Sequence, residues 1–515
     1  MTLPPLIQGL LRPEAFAHPT QDIHCRQTHI SWIILTGPYA YKIKKPVDFG
    51  FLDFTSLEKR RFYCHEELRL NRRLAPQLYL QVCAITGTLD APRMNGKGNI
   101  LEYAVQMRQF KEEDVLAECA QSGRLTEVQM EQLADLVADF HQRIDQAQAG
   151  DCYGEPNVIQ ANSLHNFDLI QADLLSPETQ TLLAGLKHWT CEHFSKIKLL
   201  MKQRKYQGYI RECHGDLHLG NIVLWEGKPL PFDCIEFNPD LRWIDVISEI
   251  AFTQMDLCAH DLRPLGFLFL NQYLSHTGDY AGVALLRYYL VYRAMVRAKI
   301  AFLTARESNE DNTWQDFKRY LDLAWQFTQT KPPALYITHG FSGSGKSYAS
   351  RQLAMHLGAL HIRSDVERKR LAGLEVLADS KNQLAQGIYS PDFTRRTYEK
   401  LKQDAINILE AGFPVIVDAT FLQQSYRDEF RQLALKLKIP FKILDFQAEK
   451  SIMETRIRNR LKGQRDPSDA DLTVLEYQLS HHDPVAKHEQ RTIISIDTST
   501  GFDLNSTLSK LSLID

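Results

Sequence analysis

Two unlike modules in tandem are what the 515-residue sequence predicts: an α+β half with a small sheet and a mostly helical remainder, then a doubly wound α/β half built on a parallel sheet. Three observations carry this. The length exceeds what one hydrophobic core supports, so several domains are expected. The stretch TQTKPPA at 328–334 interrupts a helical pattern, and its proline pair marks a boundary. Beyond it strands and helices alternate regularly, the pattern of a parallel sheet with helices on both faces.

Taken in order, HISWIILTG and YAYKIKK read as two strands joined by a Gly-Pro turn, followed by a charged amphipathic helix over 57–74. Helical spacing dominates 126–149, 178–206 and 281–327, with short strand-like runs in 209–237. After the prolines come strand LYITHG, helix 346–357, strand ALHIRS, helix 394–411, strand PVIVDAT, helix 424–437 and strand FKILDF. The expected domains are 1–105, a small lobe; 106–330, a mostly helical lobe; and 331–515, the parallel-sheet module.

Composition narrows the class. At 44% hydrophobic and 24% charged residues the chain is an ordinary globular one, too apolar for disorder. A formal net charge of -3 gives no global attraction to nucleic acid or anionic membrane. Nine cysteines from Cys25 to Cys258 show neither CxxC pairs nor zinc-site spacing, which suits a reducing compartment. Prolines in MTLPPLIQGLL break what a signal peptide would need. The apolar stretch 283–303 contains Arg287, Arg293, Arg297 and Lys299, so it reads as a core helix. No membrane association and a cytoplasmic location are expected.

The phosphate chemistry of the second half is explicit. Gly340-Phe-Ser-Gly-Ser-Gly-Lys346-Ser347 matches GxxxxGK[ST] between a strand and a helix. Around Gly340, Ser342, Gly343, Ser344 and Gly345 the backbone curls so that its amides face phosphates. Lys346 reaches the terminal phosphates and Ser347 can ligate magnesium. Asp418, last in an apolar strand, fits a second magnesium carboxylate. Asp365 in HIRSD can orient or deprotonate an acceptor hydroxyl, or alternatively cap a helix. Arg456, Arg458, Arg460 and Arg465 crowd TRIRNRLKGQRDPSDAD, with Arg456 and Arg460 one turn apart; a lid over transferring phosphate and a solvated basic face are the two readings. With GFSGSGKS, RSD, VIVDAT, the spaced arginines and PSDA, residues 334 to about 498 resemble the P-loop kinases of the polynucleotide kinase, zeta toxin and gluconate kinase type. The resemblance implies that Asp365 contacts the acceptor and that Arg460 and Arg465 belong to a lid.

In the first half, His214-Gly-Asp216-Leu-His-Leu-Gly-Asn221 precedes Asp233 in LPFDCIEF. Phosphoryl transfer needs a carboxylate at the attacking hydroxyl, here Asp216, and oxygen ligands for magnesium, here Asn221 and Asp233. The pattern resembles the aminoglycoside phosphotransferase and choline kinase group, over residues 30–325 and most clearly 211–252. That implies a bilobal protein-kinase-like fold, with His214 supporting the loop and Asp245 a structural anchor. An ATP-anchoring lysine is expected on a small-lobe strand: Lys42, with Lys44 as runner-up, paired to Glu67, with Glu66 next. Two features depart from the pattern: no glycine-rich loop precedes YAYKIKK, and Cys-Ile follows Asp233 where Phe-Gly would stand.

The resulting expectation is a bifunctional phosphotransferase using ATP, with GTP open, and Mg2+, acting on hydroxyl acceptors of small-molecule more than nucleic-acid kind. One active P-loop kinase with a pseudokinase half, or a nucleotide-gated interaction protein, are the alternatives.

Overall fold

The computed structural model describes residues 3–50, 52–308, 311–330, 332–375, 387–463 and 467–512. Its contacts group into two compact units, Met1–Leu169 with Phe194–Asp256, and Ile170–His193 with Leu257–Asp515.

In the first unit, β1 (His24–Gln27), β2 (Ser31–Leu35), β3 (Tyr39–Lys44), β4 (Tyr79–Thr88), β5 (Ala91–Met94) and β6 (Ile100–Arg108) form one antiparallel sheet in the order β1-β2-β3-β6-β4-β5. The central β3 strand buries Tyr41 and Ile43 on one face and Lys42 and Lys44 on the other. Strand periodicity therefore puts both lysines on one side. Across that side lies the helix Leu57–Asn71, begun by Ser56, whose side chain accepts from Lys59 N. Its buried positions are Arg60, Cys64, Glu67, Leu70 and Asn71, so the helix presents a largely polar face to the sheet. Such a face persists only where each polar group has a partner.

The remainder of this unit carries β7 (Ile210–Glu212) paired with β10 (Trp243–Asp245), and the hairpin β8 (Ile222–Trp225) and β9 (Lys228–Pro231). Arg204 and Asp245 form a fully buried two-bond ion pair at 2.7 and 2.9 Å. Asp245 also accepts from Ile247 N, which anchors the start of the helix Val246–Ala259.

The second unit contains a parallel sheet of β11 (Leu335–His339), β12 (Leu360–Arg363), β13 (Val415–Asp418), β14 (Phe441–Gln447) and β15 (Ile493–Asp497), ordered β12-β13-β11-β14-β15. Its apolar core joins Ala349 and Leu353 of the helix Lys346–Leu357 to Ile416, Leu444 and Ile494 of the strands. The helices Arg263–Thr277 and Val283–Ser308 belong to this unit. Asn271 closes the edge strand: its amide donates to Ala359 O at 3.0 Å and accepts from His361 N at 2.8 Å, satisfying backbone that would otherwise be an open edge. Arg287 donates to Gly412 O and lies over the Phe413 ring. Among the described residues no helix is long and apolar enough to cross a membrane.

Candidate active sites

The first site assembles where β3, the helix Leu57–Asn71 and the loop after β9 meet. Lys42 Nζ lies 2.9 Å from Glu67 and forms an ion pair with Asp233, 191 residues further along the chain. Lys44 Nζ donates to the other oxygen of Glu67 at 2.7 Å and pairs with Glu236. Burial pulls the Lys42 ammonium down, but Asp233 and Glu67 outweigh it and hold its pKa well above the ordinary range. Burial pushes Glu67 up; the two lysines prevail and keep it at about 2. Glu66, the runner-up, pairs instead with Arg69 and Arg242.

Asp233 adopts a left-handed backbone (φ 63), which a non-glycine residue holds only where its surroundings fix it. They do: Asp233 N donates to Tyr79 Oη at 3.0 Å and Cys234 N to Asn71 Oδ1 at 2.9 Å. The Cys-Ile that follows Asp233 is thus seated by side chains from the sheet and helix.

The loop after β7 brings Asp216 and Asn221 together, the Asn221 amide donating to Asp216 Oδ2 at 2.9 Å. His214 ties this loop to the end of β9: Nε2 lies 2.8 Å from Phe232 O, and Nδ1 accepts from Asp216 N at 3.3 Å. Burial lowers its pKa. Gly215 has φ +89, and a Cβ there would lie 2.8 Å from Leu241 O, so the position requires glycine. From below, Glu249 accepts His214 N at 2.6 Å and Gly215 N at 3.0 Å, Thr253 donates to Leu217 O, and Asp256 accepts Leu219 N. These three grips, with Glu236, are functional residues that sequence reasoning missed. For the three grips the signal was polar side chains at helical spacing in the otherwise apolar ISEIAFTQMDL.

The second site is a cavity of about 900 Å³ at the carboxyl ends of the parallel strands, lined among others by Lys346, Ser347, Asp365, Asp418, Arg368 and Arg460. This is where a doubly wound sheet places ligands. Gly343 has φ +83, and a Cβ would lie 2.6 Å from Met453 O; the loop curls against the helix Lys450–Gly463 too closely for any side chain. Lys346 Nζ donates to Phe341 O at 2.7 Å. Burial lowers its pKa to about 8, the charges of Asp418 and Asp365 restoring part. Asp418 is pushed up by burial, yet the hydrogen bond and charge of His361, then Arg363 and the Ser347 hydroxyl, hold it at about 2. Asp365 occupies the first turn of the helix Ser364–Leu371, whose N-cap is Arg363 with no side-chain cap bond; the capping alternative is not what Asp365 does.

The arginines divide. Arg456 donates to Gly343 O and to Thr498, clamping the phosphate loop to the end of β15. Arg458 is outward and lies 3.6 Å from Glu454. Arg460 lines the cavity and donates to Ala470 O. Arg465 lies outside the described residues. Arg368, unforeseen from the sequence, is 7% exposed; among the described residues it donates to Ile388 O and Thr394 and lies over the Tyr389 ring, and its buried Nε has no partner among them.

Both clusters offer oxygen donors alone, Asn221 with Asp233 and Ser347 with Asp418, the set that suits magnesium rather than a thiolate- or imidazole-seeking metal. The Asp233 side chain is 40% exposed, so it is reachable.

Residues 335–485 match the family described as AAA domain. An uncharacterized protein of Mycobacterium tuberculosis (strain ATCC 25618 / H37Rv) is 31% identical over 453 residues, 87% of this chain and 89% of the relative. A Mycobacterium bovis protein, also uncharacterized, matches to the same extent. The chain belongs to their family. Since the match spans both halves, the family shares the two-module plan and not the P-loop region alone. Among solved structures, a gluconokinase from Sinorhizobium meliloti 1021 is similar at 20% identity, covering 36% of this chain and 95% of its own (TM-score 0.26). A choline/ethanolamine kinase family protein from Mesorhizobium loti is similar at 10% identity, covering 66% and 93% (TM-score 0.36). At those scores the fold rests on the topology described above.

Proposed function

We propose that the chain is a bifunctional phosphotransferase, each half moving the terminal phosphate of ATP, or of GTP, to a hydroxyl acceptor. The observation that carries this is the convergence of Lys42, Glu67 and Asp233 in a unit separate from the phosphate loop, with Asp216 and Asn221 hydrogen-bonded to each other on the adjoining loop. A unit that only bound a partner would have no need of this charge set.

In the N-terminal half, Lys42, steadied by Glu67, holds the nucleotide phosphates, and Asn221 and Asp233 hold magnesium. Asp216 takes the proton of the attacking hydroxyl. In the C-terminal half the amides from Gly340 to Gly345, with the Lys346 ammonium, cradle the phosphates, and Ser347 and Asp418 hold the metal. Asp365 orients the acceptor, and Arg460 faces charge developing on the transferred group, a lid role that the resemblance implies for Arg465 as well. Magnesium, when bound, neutralises charge on the β- and γ-phosphates. The acceptor of this half is a small molecule bearing an anionic group. Arg368 is buried without a carboxylate partner among the described residues, and a buried cation requires a countercharge.

The test is incubation of the purified chain with γ-labelled ATP, Mg2+ and a fractionated metabolite extract. Two distinct phosphorylated products are expected, one of them from an anionic acceptor. Absence of any labelled product across all fractions would sink the reading.

A further inference from the structure

The first site contains one more lysine and one more glutamate than nucleotide anchoring requires. Lys44 is 0% exposed and Glu236 3% exposed. They pair with each other, and Lys44 also bonds Glu67, itself 0% exposed. The Lys44 ammonium further lies 4.9 Å from the centre of the Phe54 ring, and Glu236 is fixed through its carbonyl by Arg242 Nη1 at 3.2 Å.

Two facts make this arrangement more than packing. First, Lys42, Lys44, Glu67 and Glu236 are electrically balanced among themselves, leaving the charge of the partly exposed Asp233 available to a cation. Second, β3 and the loop after β9 are joined twice, by Lys42 to Asp233 and by Lys44 to Glu236. The outer link must open when Lys42 turns to phosphate and Asp233 to metal. The inner link touches neither and stays closed. A buried ion pair is generally no more stabilising than well-packed apolar side chains of the same volume. What it supplies here is direction: it fixes the loop against the strand while the outer charges exchange partners.

Resting on the reading of this half as a nucleotide site, we propose that Lys44 and Glu236 are positioning residues, an inner ion pair that keeps Lys42 and Asp233 in register for Mg-nucleotide through the binding step.

The experiment uses the full chain with Lys346→Ala as background, so that the phosphate loop contributes little, and measures affinity for the non-hydrolysable ATP analogue with and without Mg2+. Lys44→Met with Glu236→Met should fold with an unchanged circular dichroism spectrum. Its Mg2+-dependent gain in affinity should nonetheless fall by about tenfold or more, the scale of losing support behind a metal ligand. Glu236→Asp, which keeps the charge and shortens the reach, should lose part of that gain, and Lys44→Arg with Glu236 intact should retain more of it than Lys44→Met. Should the double methionine variant not fold, Glu236→Asp decides: a Mg2+-dependent gain equal to that of the background overturns the proposal. Asp233→Asn is the control. If it removes the Mg2+ dependence while the double methionine variant keeps it, the positioning role is refuted and the site stands. If Asp233→Asn also leaves the dependence intact, the reading of the site fails and the proposal falls with it.

Discussion

Glu249→Gln isolates how the catalytic loop of the first half is held. The carboxylate is fully buried and each of its oxygens accepts one backbone amide, His214 N at 2.6 Å and Gly215 N at 3.0 Å. A glutamine keeps the shape but can accept only through its one carbonyl. The other amide then faces an NH2 group, losing a charge-assisted bond and leaving a buried donor unsatisfied. That costs about 2–3 kcal/mol. If the cost is expressed in local opening, the amides of His214 and Gly215 should exchange with solvent about 30–150-fold faster, at a factor of ten per ~1.4 kcal/mol. Hydrogen exchange read by mass spectrometry on peptides spanning 210–222 measures this directly. Turnover of the N-terminal half should fall in parallel, since Asp216 follows Gly215. Exchange within about threefold of wild type, at the accuracy of such measurements, would show that Glu249 does not hold the loop.

Three further outcomes follow from the second site. Lys346 has a folded-state pKa of about 8, below its ordinary 10.5, because burial disfavours the ammonium. Between those values the unfolded chain binds more protons than the folded one, so stability of this unit should rise with pH from about 8 to 10.5. Thermal unfolding of the nucleotide-free chain should show that slope, and Lys346→Ala should lack it. Arg368→Met should cut acceptor phosphorylation by about 10–100-fold, the value of a hydrogen bond to a charged group, with nucleotide affinity nearly unchanged; equal loss of both would place Arg368 at the nucleotide instead. Gly343→Ala should abolish nucleotide binding to this half, because its Cβ would sit 2.6 Å from Met453 O at a backbone angle closed to alanine; calorimetric titration reads it.

What the sequence made legible follows the strength of its local signals. Helices at 346–357 and 424–437 lie where periodicity put them, and GFSGSGKS turns between strand and helix as its glycines demand. The pairing of Lys42 with Glu67 and Asp233 followed from motif spacing, but not the sharing of Glu67 with Lys44, because a strand shows that two lysines face one way and not which carboxylate lies opposite. The sheet of the first half was expected as two strands and has six. Segment 79–108 was missed because Gly87, Asp90, Pro92, Asn95 and Gly98 give it the composition of a loop, while the register of its strand β6 is set by pairing with β3 and β4. The helical spacing read over 281–327 resolves into two helices, Val283–Ser308 and Asp311–Thr328, packed on each other. The helices after Leu257 group by contact with the parallel sheet, Asn271 bonding its edge strand. Contacts between segments ninety residues apart leave no trace in local periodicity.

Transfer of labelled phosphate by paired variants tests the central claim most directly. With γ-labelled ATP and the extract that yields products, Asp216→Ala should abolish one labelled species and leave the other at wild-type rate, while Lys346→Ala should do the reverse. Loss of every product in Lys346→Ala, with Asp216→Ala indistinguishable from wild type, would contradict a second phosphotransferase site in the N-terminal half.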